Sequence, residues 1–141
     1  MTFQRVSAND IDLKYQPSEF DLVWDYLGPH SSRGEQYYDS SIYTWWECIE
    51  DMKPIAVFCL AENMFLERSM HLSVLEVCRD YRNNGKGAAI MHRLIDYAKQ
   101  LGYLSITLQA HNDQAASFYA KLGFSKSKVN DCPIMRLFIC F

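Results

Sequence analysis

HLSVLEVCRDYRNNGKG, residues 71–87, decides how the rest of the chain is read. Its first half carries Val74, Leu75 and Val77, an apolar run of the kind that forms a buried strand. It then breaks into a polar turn, Arg79-Asp80-Tyr81-Arg82-Asn83-Asn84, and reaches Gly85 and Gly87. Right after Gly87 the spacing becomes helical, with Ile90, Met91, Leu94, Ile95, Ala98 and Leu101 on one face. Strand, glycine turn and helix in succession make an anion-binding arrangement. The first N–H groups of a helix have no partner within it, and the aligned peptide dipoles favour negative charge there. Glycine at 85 and 87 removes the Cβ atoms that would hold a phosphate away from those donors.

Two common phosphate loops do not fit. The P-loop ends in Gly-Lys-Ser/Thr after a four-residue spacer, whereas this chain reads Gly85-Lys86-Gly87-Ala88. The dinucleotide fingerprint needs three glycines, and this segment has two.

Composition bounds the rest. With 141 residues, 49% hydrophobic and 22% charged, the chain is expected to form a single domain, 1–141. A domain of that size buries roughly two thirds of its unfolded surface. The net charge of −3, with no basic tract, argues against a nucleic-acid partner. The opening MTFQRVSANDIDLKYQ has no apolar run of the signal-peptide kind, and the longest apolar run, 55–61, is too short to span a bilayer. The expectation is a soluble, cytoplasmic protein without a membrane partner. Five cysteines, at 48, 59, 78, 132 and 140, form no CxxC pair, and several sit in apolar strand-like segments, as buried free thiols do. The four histidines are scattered, so no metal site is expected.

In chain order, residues 3–6 read as a short strand. Residues 18–27 read as a helix, with Ser18 as N-cap and Gly28-Pro29 as the stop. Residues 30–41 read as a polar loop, 43–49 as a strand, 51–54 as a turn and 55–61 as the returning strand of a hairpin. Gly102 supplies the stop for the long helix, and 104–108 reads as a strand parallel to the one before it. Asn112 is a helix N-cap, Gly123 closes that helix, and 133–141 reads as one last strand. The expected class is mixed α/β: antiparallel strands, a parallel βαβ unit, then a returning strand.

Arg82-x-x-Gly85-x-Gly87-Ala88 resembles the pyrophosphate loop of the GNAT superfamily of acyl-CoA-dependent N-acetyltransferases. Downstream, LSITLQAHNDQAASFYAKLGF, residues 104–124, is similar to that family's second signature. It has a strand, then Asn112, then Tyr119 seven residues on, then Leu122-Gly123-Phe124. The matched part runs from about 71 to 124; the N-terminal half fits only in its order of elements. The resemblance implies a GNAT-like fold with a central mixed β-sheet and flanking helices, and acetyl-CoA as co-substrate. In that family the two central parallel strands splay apart and admit the acyl chain.

Site roles follow from the resemblance, position by position. The backbone N–H groups of Arg82, Asn83, Asn84, Gly85, Lys86, Gly87 and Ala88 would hold the CoA pyrophosphate, and Val77 and Cys78 would pair with pantetheine amides. Asn112 would contact pantetheine, unless it is only a helix cap. Tyr119 would protonate the departing thiolate, unless it is only a core aromatic. Lys86 is either a phosphate contact or a solvated charge. Tyr37, Tyr38, Tyr43, Trp45 and Trp46 lie where such folds build the acceptor pocket, and aromatic walls suit a cationic or aromatic amine. Cys78 has no base partner in sequence and is read as inert.

The implied reaction is direct attack of a primary amine, from a small molecule or a protein, on acetyl-CoA. The alternative is an acyl-CoA-binding sensor or interaction module with little turnover. The amine's proton has two candidate acceptors, His71 and Glu76, eleven and six residues before Arg82. Residues five apart on a regular strand face opposite sides, so only one of them faces the pocket unless a bulge intervenes. His71 is favoured, acting through water, because its ordinary pKa near 6.5 suits the task. Glu76 would need burial to raise its pKa, or else it pairs with a nearby arginine. The oligomeric state is left open, a homodimer included.

Overall fold

A computed structural model of the chain describes residues 1–14, 37, 39, 41–62, 64 and 66–139. The helix expected over 18–27, most of the loop over 30–41, Tyr38 and residues 140–141 lie outside the described residues. The described elements are β1 (Thr2–Val6), α1 (Ala8–Lys14), β2 (Tyr43–Glu50), β3 (Lys53–Glu62), β4 (Ser69–Val77), a 3-10 turn (Arg79–Tyr81), α2 (Lys86–Gln100), β5 (Ser105–Leu108), α3 (Asp113–Lys121), β6 (Ser125–Val129) and β7 (Cys132–Phe138). The strands form a seven-stranded mixed sheet in the order β1-β2-β3-β4-β5-β7-β6, which is the expected mixed α/β class. The chain divides into two compact units, and the division cuts β4 between Ser73 and Val74.

The first unit comprises Met1–Leu60 and Val74–Ile90. β1 runs antiparallel to β2, from Thr2 opposite Ile49 to Val6 opposite Trp45. β2 and β3 are joined by a two-residue turn in which Asp51 (φ 51) and Met52 (φ 64) both take left-handed backbone. That conformation matches the twist of the flanking strands. The turn is tighter than the expected 51–54, and Lys53 and Pro54 already belong to β3. Pro54 is exposed at the strand's first turn of pleat, where a missing N–H is tolerated. Residues 55–61 are buried throughout, as a continuous apolar run on a central strand requires. The edge-on ring of Phe3 packs 4.9 Å from that of Phe58. α1 was not legible in the sequence: its seven residues are too few to display a helical period. It is anchored by the Asp10 N–H, which donates to Ser7 Oγ at 3.1 Å, and by Ile11, fully buried.

The second unit comprises Ala61–Ser73 and Met91–Phe141. β5 is parallel to β4, in register from Ser69 with Ser105 to Leu72 with Leu108, as the strand–helix–strand pattern predicts. α2 ends at Gln100 and is closed by Gly102 (φ 82): the Tyr103 N–H reaches Ala98 O at 3.0 Å and the Gly102 N–H reaches Lys99 O at 3.1 Å. Those two bonds satisfy the last carbonyls of the helix. Met91, Leu94 and Ala98 are buried, but Leu101, expected on the same face, is 55% exposed because the helix stops at Gln100. The C-terminal region also departs from expectation. The last strand expected over 133–141 is β7, which ends at Phe138. β6, which was not expected, pairs with it as an antiparallel hairpin, with Asn130 (φ 50) and Asp131 (φ 65) in the turn. β6 reads SKSKV and carries a single apolar residue, so it has no hydrophobic alternation to detect. It is an edge strand, where lysines are tolerated and discourage further pairing.

Candidate active site

In the first unit, β4 leads into the turn that the sequence singled out. The Cys78 N–H donates to Ile55 O at 2.8 Å, and the Cys78 carbonyl accepts from the Tyr81 N–H at 2.9 Å. The second bond winds Arg79–Tyr81 into a 3-10 turn. Asn83 (φ 65) and Gly85 (φ 75) then take left-handed backbone. Asparagine tolerates that region and glycine enters it without steric cost. A Cβ on Gly85 would meet nothing within 4 Å, so its backbone angle, and not crowding, is what asks for glycine. α2 begins at Lys86, earlier than expected, and Gly87 lies inside its first turn. The Ala89 N–H closes onto Gly85 O at 3.1 Å. The amides of Lys86, Gly87 and Ala88 precede that bond, in the turn where helical N–H groups have no carbonyl behind them. No acidic residue occupies that turn.

Arg82 and Lys86 are both engaged by carboxylates. Arg82 folds back on its own strand: Nε donates to Val77 O at 2.8 Å and Nη2 to Glu76 Oε2 at 2.9 Å. Glu76 is 6% exposed, so this is a buried carboxylate with a charged partner rather than a lone one. Lys86 Nζ lies 2.5 Å from Glu50 Oε2, at the end of β2. That hydrogen bond holds the Glu50 carboxyl below its ordinary pKa and raises that of the Lys86 ammonium. Neither the sequence around Glu50 nor its spacing marks it, since it stands 36 residues from Lys86.

Successive residues of a strand turn their backbone groups to opposite edges. The Cys78 N–H points to β3, which places the backbone groups of Val77, Leu75 and Ser73 on the other edge of β4. Register with β5 ends at Leu72, and β4 continues through residues 73–77. Cys78, a candidate cofactor contact, thus has both backbone groups committed within the unit, and Val77 has its carbonyl shared with Arg82.

In the second unit, His71 and Thr107 are register partners, and His71 Nδ1 lies 2.9 Å from Thr107 Oγ1. The imidazole is 4% exposed, and burial pushes its pKa down to about 4, so it is neutral at pH 7. Asn112 caps α3, its Oδ1 accepting from the Ala115 N–H at 2.8 Å; its two amide hydrogens remain as donors. Tyr119 is buried on α3, with its ring edge-on to Phe118 at 5.0 Å and to Phe124 at 5.6 Å. Burial raises its pKa, so the phenol keeps its proton across the neutral range. α3 closes at Gly123 (φ 104), with the Phe124 N–H on Tyr119 O at 3.1 Å. A Cβ at Gly123 would stand 3.2 Å from Leu137 Cδ1, a close approach that the leucine end would have to relieve, so the backbone angle is what asks for glycine.

The aromatic group of the first unit does not share one face. Tyr37, Tyr43 and Trp45 are buried together, with the tyrosine rings 4.5 Å apart and Trp45 Nε1 donating to Tyr37 O at 2.9 Å. Trp46 points to the other face of β2, stacked at 6.0 Å on Phe58 with the Arg5 guanidinium over its ring. Among the described residues, no group of three or more His, Cys, Asp and Glu is placed to hold a metal ion. No described helix is long and apolar enough to cross a membrane.

The sequence model of the acetyltransferase (GNAT) family matches residues 10–124. The chain belongs to this family. Among curated relatives of this GNAT chain is the probable N-acetyltransferase camello of Xenopus tropicalis, 28% identical over 101 residues, covering 70% of the chain and 46% of that protein. An uncharacterized N-acetyltransferase of Mycobacterium bovis is 36% identical over 73 residues, covering 50% of the chain and 45% of its own length. The chain therefore spans less than half the length of the curated relatives it matches. Many solved structures share its fold, among them the following. The ribosomal-protein-S18-alanine N-acetyltransferase of Escherichia coli superposes with a TM-score of 0.72 at 21% identity, covering 99% of the chain and 94% of its own. The PaiA N-acetyltransferase of Thermoplasma acidophilum, in complex with coenzyme A, gives 0.64 at 18%, covering 98% and 99%. A KacTA–DNA complex gives 0.70 at 17%, covering 98% and 92%. At these identities the likeness is one of fold.

Proposed function

We propose that residues 1–141 form one acetyltransferase domain that transfers the acetyl group of acetyl-CoA to a primary amine by direct attack. The observation that carries this is the start of α2: left-handed Asn83 and Gly85, then helical amides at Lys86, Gly87 and Ala88 with no acidic side chain among them. Such a start receives an anion, and the family to which the chain belongs uses acetyl-CoA. The loop from Arg82 to Ala88 is assigned to the pyrophosphate, and the edge of β4 facing away from β3, at Val77, to the pantetheine amides. Asn112 keeps its oxygen for the cap and offers its N–H groups to pantetheine. Tyr119, protonated across the neutral range, donates its proton to the departing thiolate.

An amine attacks only as its free base. Of the two candidate acceptors of its proton, the carboxylate of Glu76 is held by Arg82, whereas His71 is neutral at working pH. We keep His71 as the acceptor through water, with a consequence: an imidazole of pKa about 4 is a weak base, so turnover at low acceptor follows the amine's own free-base fraction. The test is thiol release from acetyl-CoA across polyamines, arylalkylamines, amino acids, aminoglycosides and peptides with free N-termini. Amine-dependent release with an acetylated product supports the assignment. Coenzyme A binding with only slow thioester hydrolysis across the whole panel turns it toward a sensor.

A further inference from the structure

The two cations of the 82–88 segment are held in different ways. Arg82 makes two contacts, one of them to buried Glu76, and is fixed as part of the turn. Lys86 is held by the single contact to Glu50, and both side chains are 28% exposed. Lys86 is also the first residue of α2, whose first turn contains no acidic side chain of its own. Glu50, from the far end of β2, brings the negative charge to that position, and Asp51 acts on the same ammonium through space. An exposed ion pair of this kind contributes little net free energy, so a multiply charged anion competes for the lysine readily.

We propose that Glu50 sets the strength of cofactor binding: it holds Lys86 Nζ away from the phosphates of an acyl-CoA and presents them with a like charge. This rests on the assignment of residues 82–88 to the coenzyme A loop. When the phosphates arrive, Lys86 transfers from the carboxylate to them and Glu50 is left to solvent. Glu50 thereby weakens binding and speeds release of the spent coenzyme.

Coenzyme A affinity is measured by titration calorimetry for wild type, Glu50→Gln, Lys86→Gln and the double variant, with ligand-free melting as the check on folding. Glu50→Gln should bind roughly two- to fivefold more tightly, the range of one exposed ion pair. The gain should disappear in the Lys86→Gln background and shrink at 0.5 M salt. Glu50→Ser serves the same purpose should Glu50→Gln lose its native melting transition. Unchanged or weaker binding by the Glu50 variants, or a gain that persists without Lys86, overturns the role of Glu50 while the loop assignment stands. Absence of coenzyme A binding by wild type overturns the loop assignment and the role of Glu50 together.

Discussion

The starts of α2 and α3 both follow a strand of the parallel pair, yet they are built to opposite ends. α3 is sealed by its own chain: Asn112 Oδ1 takes the Ala115 N–H at 2.8 Å and Asp113 stands in the first turn against the helix dipole. α2 has no acidic residue in its first turn, is entered through two left-handed residues and carries Gly87 where α3 carries side chains. A helix start completed by its own residues is a structural joint. One left without an acidic side chain, with Arg82 and Lys86 held by Glu76 and Glu50, is where the proposed function places an anion. On the proposed function, cofactor affinity is assigned to the α2 start, and the side chain proposed to assist bond breaking stands in the body of α3.

The contrast can be broken at several points. The largest effect is expected at Tyr119, whose replacement by Phe keeps the ring between Phe118 and Phe124 and removes only the O–H. Turnover should fall by ~10²–10⁴-fold while coenzyme A affinity is retained. An unchanged turnover number, under conditions where chemistry limits the rate, makes Tyr119 a packing residue. Next comes Gly87→Val, which places a branched side chain in the open start. Saturating acetyl-CoA at a thousandfold above its dissociation constant stabilises a protein by about 4 kcal/mol, and that stabilisation should vanish in the variant with the ligand-free melting point little moved. Full stabilisation of the variant removes the phosphate from the α2 start.

A smaller effect concerns the strands that lead into the two starts, tied by His71 and Thr107. Because burial lowers the His71 pKa from 6.5 to about 4, the unfolded chain takes up this proton first as pH falls. The contribution to stability is complete above pH 6.5 and is lost progressively toward pH 4, amounting to roughly 2–4 kcal/mol there. Replacing His71 with Gln should flatten the pH dependence of denaturant-measured stability across that window and leave it unchanged between pH 7 and 8. A slope identical to wild type would assign the acid sensitivity to other groups. The smallest effect is at the sealed start: Asn112→Ala should cost about 1 kcal/mol of stability without ligand, the usual loss of an N-cap. A much larger loss of turnover than of stability would show that its amide also serves the substrate.

Legibility in the sequence followed the range of the interactions. The α2 face, the Gly102 and Gly123 stops, the Asn112 cap and the parallel β4–β5 pair were readable because each depends on residues a few positions apart or on one short connection. β6 escaped because an edge strand need not bury an alternating face, and SKSKV shows none. Leu101 had the helical spacing but falls beyond the helix end that Gly102 imposes. The rival roles of Glu76 and His71 could be framed from the resemblance and the spacing, and His71 favoured on its ordinary pKa, but the surroundings of neither could be read. Those are the Arg82 guanidinium on one and the burial of the other.

By itself, then, the amino-acid order determined the mixed α/β class, the strand–turn–helix at 71–100, the second signature at 104–124 and the family, because these are written in local propensity and in motifs of contiguous residues. Only the tertiary structure decided which charges meet. The pairing of Lys86 with Glu50 and of His71 with Thr107 joins residues 36 apart in the chain, while the clasp of Arg82 on Glu76 and Val77 and the lowered pKa of His71 depend on how the turn folds back and on burial. Electrostatic energies are set by separation in space and by exclusion of water, and the order of residues encodes neither directly.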